Sequence, residues 1–183
     1  DTNGISGQWE SYVVQVVTNP LPNVDRALVI AGSDRRGTIY GIYQLSQMIG
    51  VSPWYWWADV PVTKKKRIEL SGDILKQGSP GVKYRGFFIN DEDWGLNPWA
   101  KKTFDPQFGN IGPKTYAKVF ELMSRLRLNY LWPAMHPCSK EFGSVPENAA
   151  LADKFAIVVG SSHCEPMLYN NVHWNDRTQG KWN

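Results

Sequence analysis

The segment Ile157–Met167, IVVGSSHCEPM, ends a short apolar run at a glycine and then sets His163, Cys164 and Glu165 side by side. Those residue types fit a metal site, half of an acid/base pair, or the polar end of a buried strand. Side chains alternate along a strand, which predicts His163 and Glu165 on one face and Cys164 on the other. That geometry disfavours all three as ligands of one ion. The zinc deaminase pattern, H-x-E followed by P-C-x-x-C, fails on order and on count: PCSK (Pro137–Lys140) precedes HCE and lacks the second cysteine. A metal site using His136, His163 and Glu165 is the weaker alternative, and no metal or cofactor is expected. A catalytic glutamate fits better. A carboxyl at a strand end beside apolar walls such as Met167 and Trp132 loses hydration, burial raises its pKa, and a raised acid can protonate a leaving oxygen near neutral pH. The plainer reading stands beside it: Glu165 caps a helix or pairs with an arginine in its loop.

Three other stretches carry chemistry. INDEDW (Ile89–Trp94) packs Asp91, Glu92 and Asp93 together. Like charges this close ionise cheaply only where something compensates them, as in a sugar or metal site, or where water solvates the loop. Strand alternation would put Asp91 with Ile89 and Asp93, and Glu92 with Asn90, so one set at most faces a site. GSDRRGT (Gly32–Thr38) resembles a phosphate loop, but Thr38 stands where that loop requires lysine. Its Arg35 and Arg36 can instead grip a carboxylate through paired N–H bonds. SPWYWWADVPV (Ser52–Val62) sets three tryptophans and a tyrosine in four positions, which predicts at least one ring against a neighbouring domain or a ligand.

The elements that must position these groups follow from periodicity and punctuation. Ser11–Val17 reads as a strand ended by the turn residues TNPLPN. Arg26–Gly32 reads as a second strand, its continuous apolar run predicting burial on both faces. Ile39, Ile42, Tyr43, Leu45, Met48 and Ile49 recur at helical spacing until Gly50. IELSG (Ile68–Gly72) reads as a further strand, with the basic run TKKKRIEL guarding its exposed edge. KQGSPGVK then reads as a linker, so the expected domains are 1–78 and 79–183. Beyond it, strands in VKYRGFFIN, LNYLWPAM and AIVVGSS alternate with helices in GPKTYAKVFELMSRLR and ENAALADKF. Pro113 suits a first helical turn, and Tyr116, Val119, Phe120, Met123 and Leu126 form one apolar stripe. Strands separated by helices pair in parallel with right-handed crossovers, and ligand sites lie at the carboxyl ends of such strands. The clusters Asn90–Glu92, Trp132–His136 and His163–Glu165 all fall there, which points to one shared site. The expected fold class is α/β: a small N-terminal α/β domain, then the opening part of a (β/α)8 barrel, since a whole barrel needs about 250 residues. A self-contained open sheet is the alternative.

The bulk numbers agree with a soluble globular chain. Of 183 residues, 42% are apolar and 20% charged, an ordinary balance. No apolar run nears the ~18 residues of a membrane span, and DTNGISGQWE has neither the basic start nor the apolar block of a signal peptide. The missing initial Met suggests a cut-down chain. A net charge of +3 without a concentrated basic face argues against a nucleic-acid partner. Two cysteines make no disulfide framework and are expected as free thiols. Nine tryptophans lift the aromatics to 13%, suiting surfaces that are half apolar and half hydrogen-bonding, such as sugars, although cores and interfaces use them too.

IAGSDRRGTIYGIYQLSQMIGVSPWYWWADVPV, YRGFFINDED and GSSHCEPM together resemble the xylan α-glucuronidases of glycoside hydrolase family 115. The resemblance runs from about Gly7 to the last residue and keeps the motif order. It implies a secreted or periplasmic enzyme that removes glucuronic acid, often 4-O-methylated, from α-1,2 linkages on glucuronoxylan with inversion. It also implies that much longer relatives supply the remaining barrel, so that 183 residues alone are inactive and an open three-strand edge invites self-association. Inverting glycosidases place an acid and a base about 6.5–9.5 Å apart with water between base and sugar. On this reading Glu165 is the acid, Asp91 or Glu92 activates water, and His163 orients the acid. Arg35 or Arg36 holds the uronic carboxylate, and Asn90, Trp94, Trp132 and His136 line the pocket. A non-catalytic module for acidic glycans and, further off, a nucleotide-binding domain are the alternatives.

Overall fold

A computed structural model describes residues 4–70, 75–91, 93–163 and 180–181. Glu92, Cys164 and Glu165 lie outside these. The chain divides into two compact units, Asp1–Lys83 with Ser124–Arg127, and Tyr84–Met123 with Leu128–Asn183.

In the first unit, β1 (Tyr12–Leu21) and β2 (Val24–Gly32) form an antiparallel hairpin. Its tight turn uses Asn23 at φ 63, a conformation asparagine tolerates better than most residues. The strand therefore runs through TNPL, with a register break between Thr18 and Leu21, rather than stopping at Val17. Helix α1 (Arg35–Met48) follows, and β3 (Leu75–Gln77) pairs with the other side of β1 to give the order β2-β1-β3. Tyr12, Val14 and Tyr40 make the buried core, with Ile30, Ile39 and Leu75 packed against them. The expectation that β2 is buried on both faces is corrected. It is an outer strand without a fully buried residue, and Leu28 stays 38% exposed, because α1 covers one face only. The strand expected at IELSG is also misplaced. Ile68–Leu70 form none, and Ala58–Glu69 are exposed; both ladder sides of β1 are already taken by β2 and β3. Lys64–Lys66 flank no strand within the described residues 58–70.

Helix α1 begins four residues before its apolar stripe because Asp34 caps it. One carboxylate oxygen accepts from Gly37 N at 2.7 Å and the other from Glu10 N at 2.8 Å. Gly37 is small for a packing reason: a Cβ there would strike the Ser11 carbonyl oxygen. The glycine spacing that resembled a phosphate loop thus serves strand–helix contact, and the helix N-terminus already holds a carboxylate where a phosphate would have to sit. Behind the cap, Arg36 Nε pairs with Glu10 Oε1 at 2.6 Å, the Glu10 side chain being fully buried. Within the same unit, Arg125 lies 4.5 Å over the Tyr43 ring and 4.6 Å over that of Tyr55, and Arg127 donates to Gln44 Oε1.

The second unit alternates strand and helix. β4 (Gly86–Phe88) leads to the one-turn α2 (Leu96–Trp99), which runs into a π-helical turn at Ala100–Phe104. Then come α3 (Pro113–Arg125), which belongs to this unit through Met123, β5 (Tyr130–Trp132), a 3-10 turn at Phe142–Ser144, α4 (Pro146–Phe155) and β6 (Val158–Val159). The three strands are parallel and lie in sequence order. Tyr116, Val119, Phe120 and Met123 on the predicted stripe are all buried at 3% or less, the last three each worth roughly 1.5–3 kcal/mol of transfer free energy. Phe120 also meets Phe142 and Phe155. In the sheet Leu131 is fully buried, whereas its neighbour Trp132, on the opposite face, is 37% exposed.

Candidate active site

The ends of β4 and β5 bring acidic, thiol and imidazole groups together within the second unit. β4 stops at Phe88, and Ile89 N extends the ladder by one bond to Trp132 O at 2.9 Å. Strand alternation therefore does not reach the acids. Asp91 is 6% exposed while Asp93, at φ 69, is open to solvent, so the shared face expected for the pair does not form. The backbone turns away from the strand path to start α2. Asp91 Oδ2 accepts from Asn97 N at 2.8 Å in the first turn of that helix, where free N–H groups favour a carboxylate. Asn90 is exposed, and Trp94 is 82% exposed.

Asn97 carries the connection onward. It is 2% exposed, and its Nδ2 faces Asn110 Oδ1 at 3.2 Å, Cys138 O at 3.2 Å and Ser139 Oγ at 3.3 Å. Asn110 Nδ2 donates to the same Cys138 carbonyl at 3.0 Å, and its Oδ1 accepts from Ile111 N and Lys140 N. The loop after β5 is thus fastened to the loop after β4. Within that loop Ser139 N bonds to His136 O at 2.8 Å, and Cys138 Sγ lies 3.7 Å from His136 Nδ1. Asn97, Asn110, Ser139 and Cys138 were not anticipated as site residues. Neutral carboxamides beside Gly and Pro look like ordinary turn residues, and nothing in local spacing marks their long-range pairing.

Burial pushes the Cys138 thiol above its ordinary pKa, the charges of Asp93 and Asp91 push the same way, and a hydrogen bond from Ser139 opposes them. The thiol form is favoured in the folded protein. Its contribution to stability is complete below the ordinary thiol range near pH ~8.5 and is lost as pH rises through the raised folded value. Alkylation of Cys138 by iodoacetamide at pH 8, followed on its peptide by mass spectrometry, should run several-fold slower than for a free cysteine, since the thiolate is the nucleophile. Asp93→Asn should speed it; an unchanged rate would show that the carboxylates do not act on the thiol.

Trp132 ends β5, and its Nε1 donates to Tyr130 OH at 3.2 Å. His163 is exposed, its Nδ1 2.8 Å from Ser162 Oγ. It lies past the end of β6, so strand alternation does not fix its direction. Arg35 and Arg36 open α1 in the first unit, and Arg36 is engaged with Glu10. Among the described residues no group of three His, Cys, Asp or Glu side chains is placed to hold a metal ion, and no helix is long and apolar enough to cross a membrane.

Comparison with known proteins places this geometry. No curated protein matches the chain. A solved structure described as a family GH115 4-O-methyl-α-glucuronidase with specificity for decorated arabinogalactans is similar to it, with a TM-score of 0.85 and 44% identity. The match covers 100% of this chain and 24% of that one, so the chain spans about a quarter of its length. The model of glycosyl hydrolase family 115 matches residues 77–183, which hold every acid, imidazole and thiol of the cluster above. The chain belongs to glycosyl hydrolase family 115.

Proposed function

We propose that the chain is part of a glycosidase that releases glucuronic acid, or its 4-O-methyl ether, from α-1,2 linkages on xylan with inversion. The observation that carries this reading is the family match over residues 77–183, the stretch in which strand ends gather Asp91, His136 and Cys138. Glu165 serves as the acid that protonates the leaving oxygen, with His163 orienting it, and Asp91 or Glu92 activates water from the opposite side of the sugar. Asn90, Trp94, Trp132 and His136 bind the ring. The parallel, sequential β4-β5-β6 order supports reading the second unit as the opening of a (β/α)8 barrel. On this reading the enzyme is secreted or periplasmic, because its substrate is a polymer outside the cytoplasm. The similar structure's specificity makes decorated arabinogalactan the second substrate to try.

The test is glucuronic acid release by the full-length protein from glucuronoxylan and from decorated arabinogalactan, with the first-formed anomer read by NMR. Glu165→Gln should lower turnover by roughly 100-fold or more, the lower end of what a positioned acid supplies. Unchanged turnover in that variant removes Glu165 as the acid, and no release from either polymer overturns the reading as a whole.

A further inference from the structure

We infer that Asn110, acting with Asn97, is a positioning residue: the two carboxamides lock the His136–Lys140 loop onto the Asp91 loop, so that Asp91 and His136 meet the sugar already arranged. This rests on the glycosidase reading for its catalytic half only. The contact between the loops itself stands on geometry.

A carboxamide suits this place because it donates and accepts at once. Asn110 Oδ1 takes the backbone N–H groups of Ile111 at 2.9 Å and Lys140 at 3.1 Å, while its Nδ2 gives to Cys138 O at 3.0 Å. Both sides of the Cys138–Lys140 segment therefore hang on one half-buried side chain. Asn97 completes the link: its backbone N–H holds Asp91 Oδ2 and its Nδ2 reaches Asn110, Cys138 and Ser139. An NH2 group has two hydrogens for these three acceptors, so the contacts are shared, and shared contacts keep a loop in one register only while all of them persist. His136 is exposed and is tied in by the turn from Ser139 N to its carbonyl. Without Asn110 that turn loses two of its backbone anchors, and the imidazole loses its fixed relation to Asp91. Asp91 keeps its own bond to Asn97 N, so its loop survives the change. A loosened site loses rate more than binding, because displacement of a reacting group by about 1 Å can lower turnover by ~100-fold.

Asn110→Ala in the full-length protein should lower kcat by roughly 10- to 100-fold with KM within about twofold. Val145→Ala, a buried change elsewhere in the same unit, serves as the control for lost stability. If Asn110→Ala lowers kcat no more than Val145→Ala does, the role is structural only and the inference fails. A second readout needs no catalysis: freeing the loop should raise the rate of Cys138 alkylation by iodoacetamide about threefold or more relative to Val145→Ala, and an unchanged rate would show that the carboxamides do not hold the loop. Wild-type protein that releases no glucuronic acid would sink the glycosidase reading, while the alkylation comparison would still decide whether the clamp exists.

Discussion

Gly86→Ala is expected to leave the second unit unable to fold. A Cβ at this position would fall on the carbonyl oxygen of Tyr130, with the Cα of the same residue 3.1 Å away. These are backbone atoms, so no rotamer change relieves the clash, and the strands themselves must separate. Gly86 faces Tyr130 in the first pair of the β4–β5 ladder, and the N–H groups of Asn129 and Tyr130 both reach Arg85 O just before it. Moving β4 away would break those bonds and the register behind them. The cost should exceed ~4 kcal/mol, the range reserved for disrupted cores and backbones, and domains hold only about 5–15 kcal/mol in all. Loss of the near-ultraviolet signal and protease resistance of residues 84–163 would show it. Gly81→Ala, which meets nothing within 4 Å, is the matched control. A Gly86→Ala protein melting within a few degrees of wild type would contradict the packing described for β4.

Arg36→Leu is expected to destabilise the first unit by about 1.5–3 kcal/mol, the worth of a hydrogen bond to a charged group. Glu10 has no exposed side-chain surface, whereas Arg36 retains 24%. Removing the guanidinium therefore takes one charged donor from a carboxylate that stays in the interior. Changing Glu10→Gln in the same chain should recover part of the loss, because a neutral amide is less costly to bury than a charge. Thermal melts of the single and double variants measure both effects. The alternative use of Arg36, gripping a sugar carboxylate, predicts the opposite pattern: an unmoved melting point and a raised KM in the full-length protein. The same substitution thus separates a structural arginine from a substrate-binding one.

Much of the fold was legible because apolar spacing is a strong local signal. The stripe on α3, its start at Pro113 and the end of α1 before Gly50 follow from helical periodicity and punctuation. β2 was misread because a continuous apolar run such as ALVIAG looks the same in an outer strand covered on one side as in a central one. The helical stretch Leu96–Phe104 was invisible: Pro98 and the paired Lys101 and Lys102 give no periodic stripe, and its start is set by Asp91. The site was legible by residue type only. Charge and imidazole drew attention to Asp91 and His136, but alternation could not order the acids once the strand had ended at Phe88. Asn97 and Asn110 act across 41 and 28 residues of chain, a relation that exists only after the sheet has formed.

The contrast between hairpin and parallel sheet sets an order of events in time. β1 and β2 join across a tight turn, so their zipping needs little loop closure and belongs to the microsecond range of hairpins, ~1–10 μs. β4 must find β5 some 44 residues later, and β5 must find β6 after 28 more. Searches over such separations are slower, because more chain must be closed into a loop before the pairing is made. A refolding chain is therefore expected to set its first hairpin while Phe87, Leu131 and Val159 still lack their neighbours, an interval in which encounter with another chain would compete with completion of its own sheet.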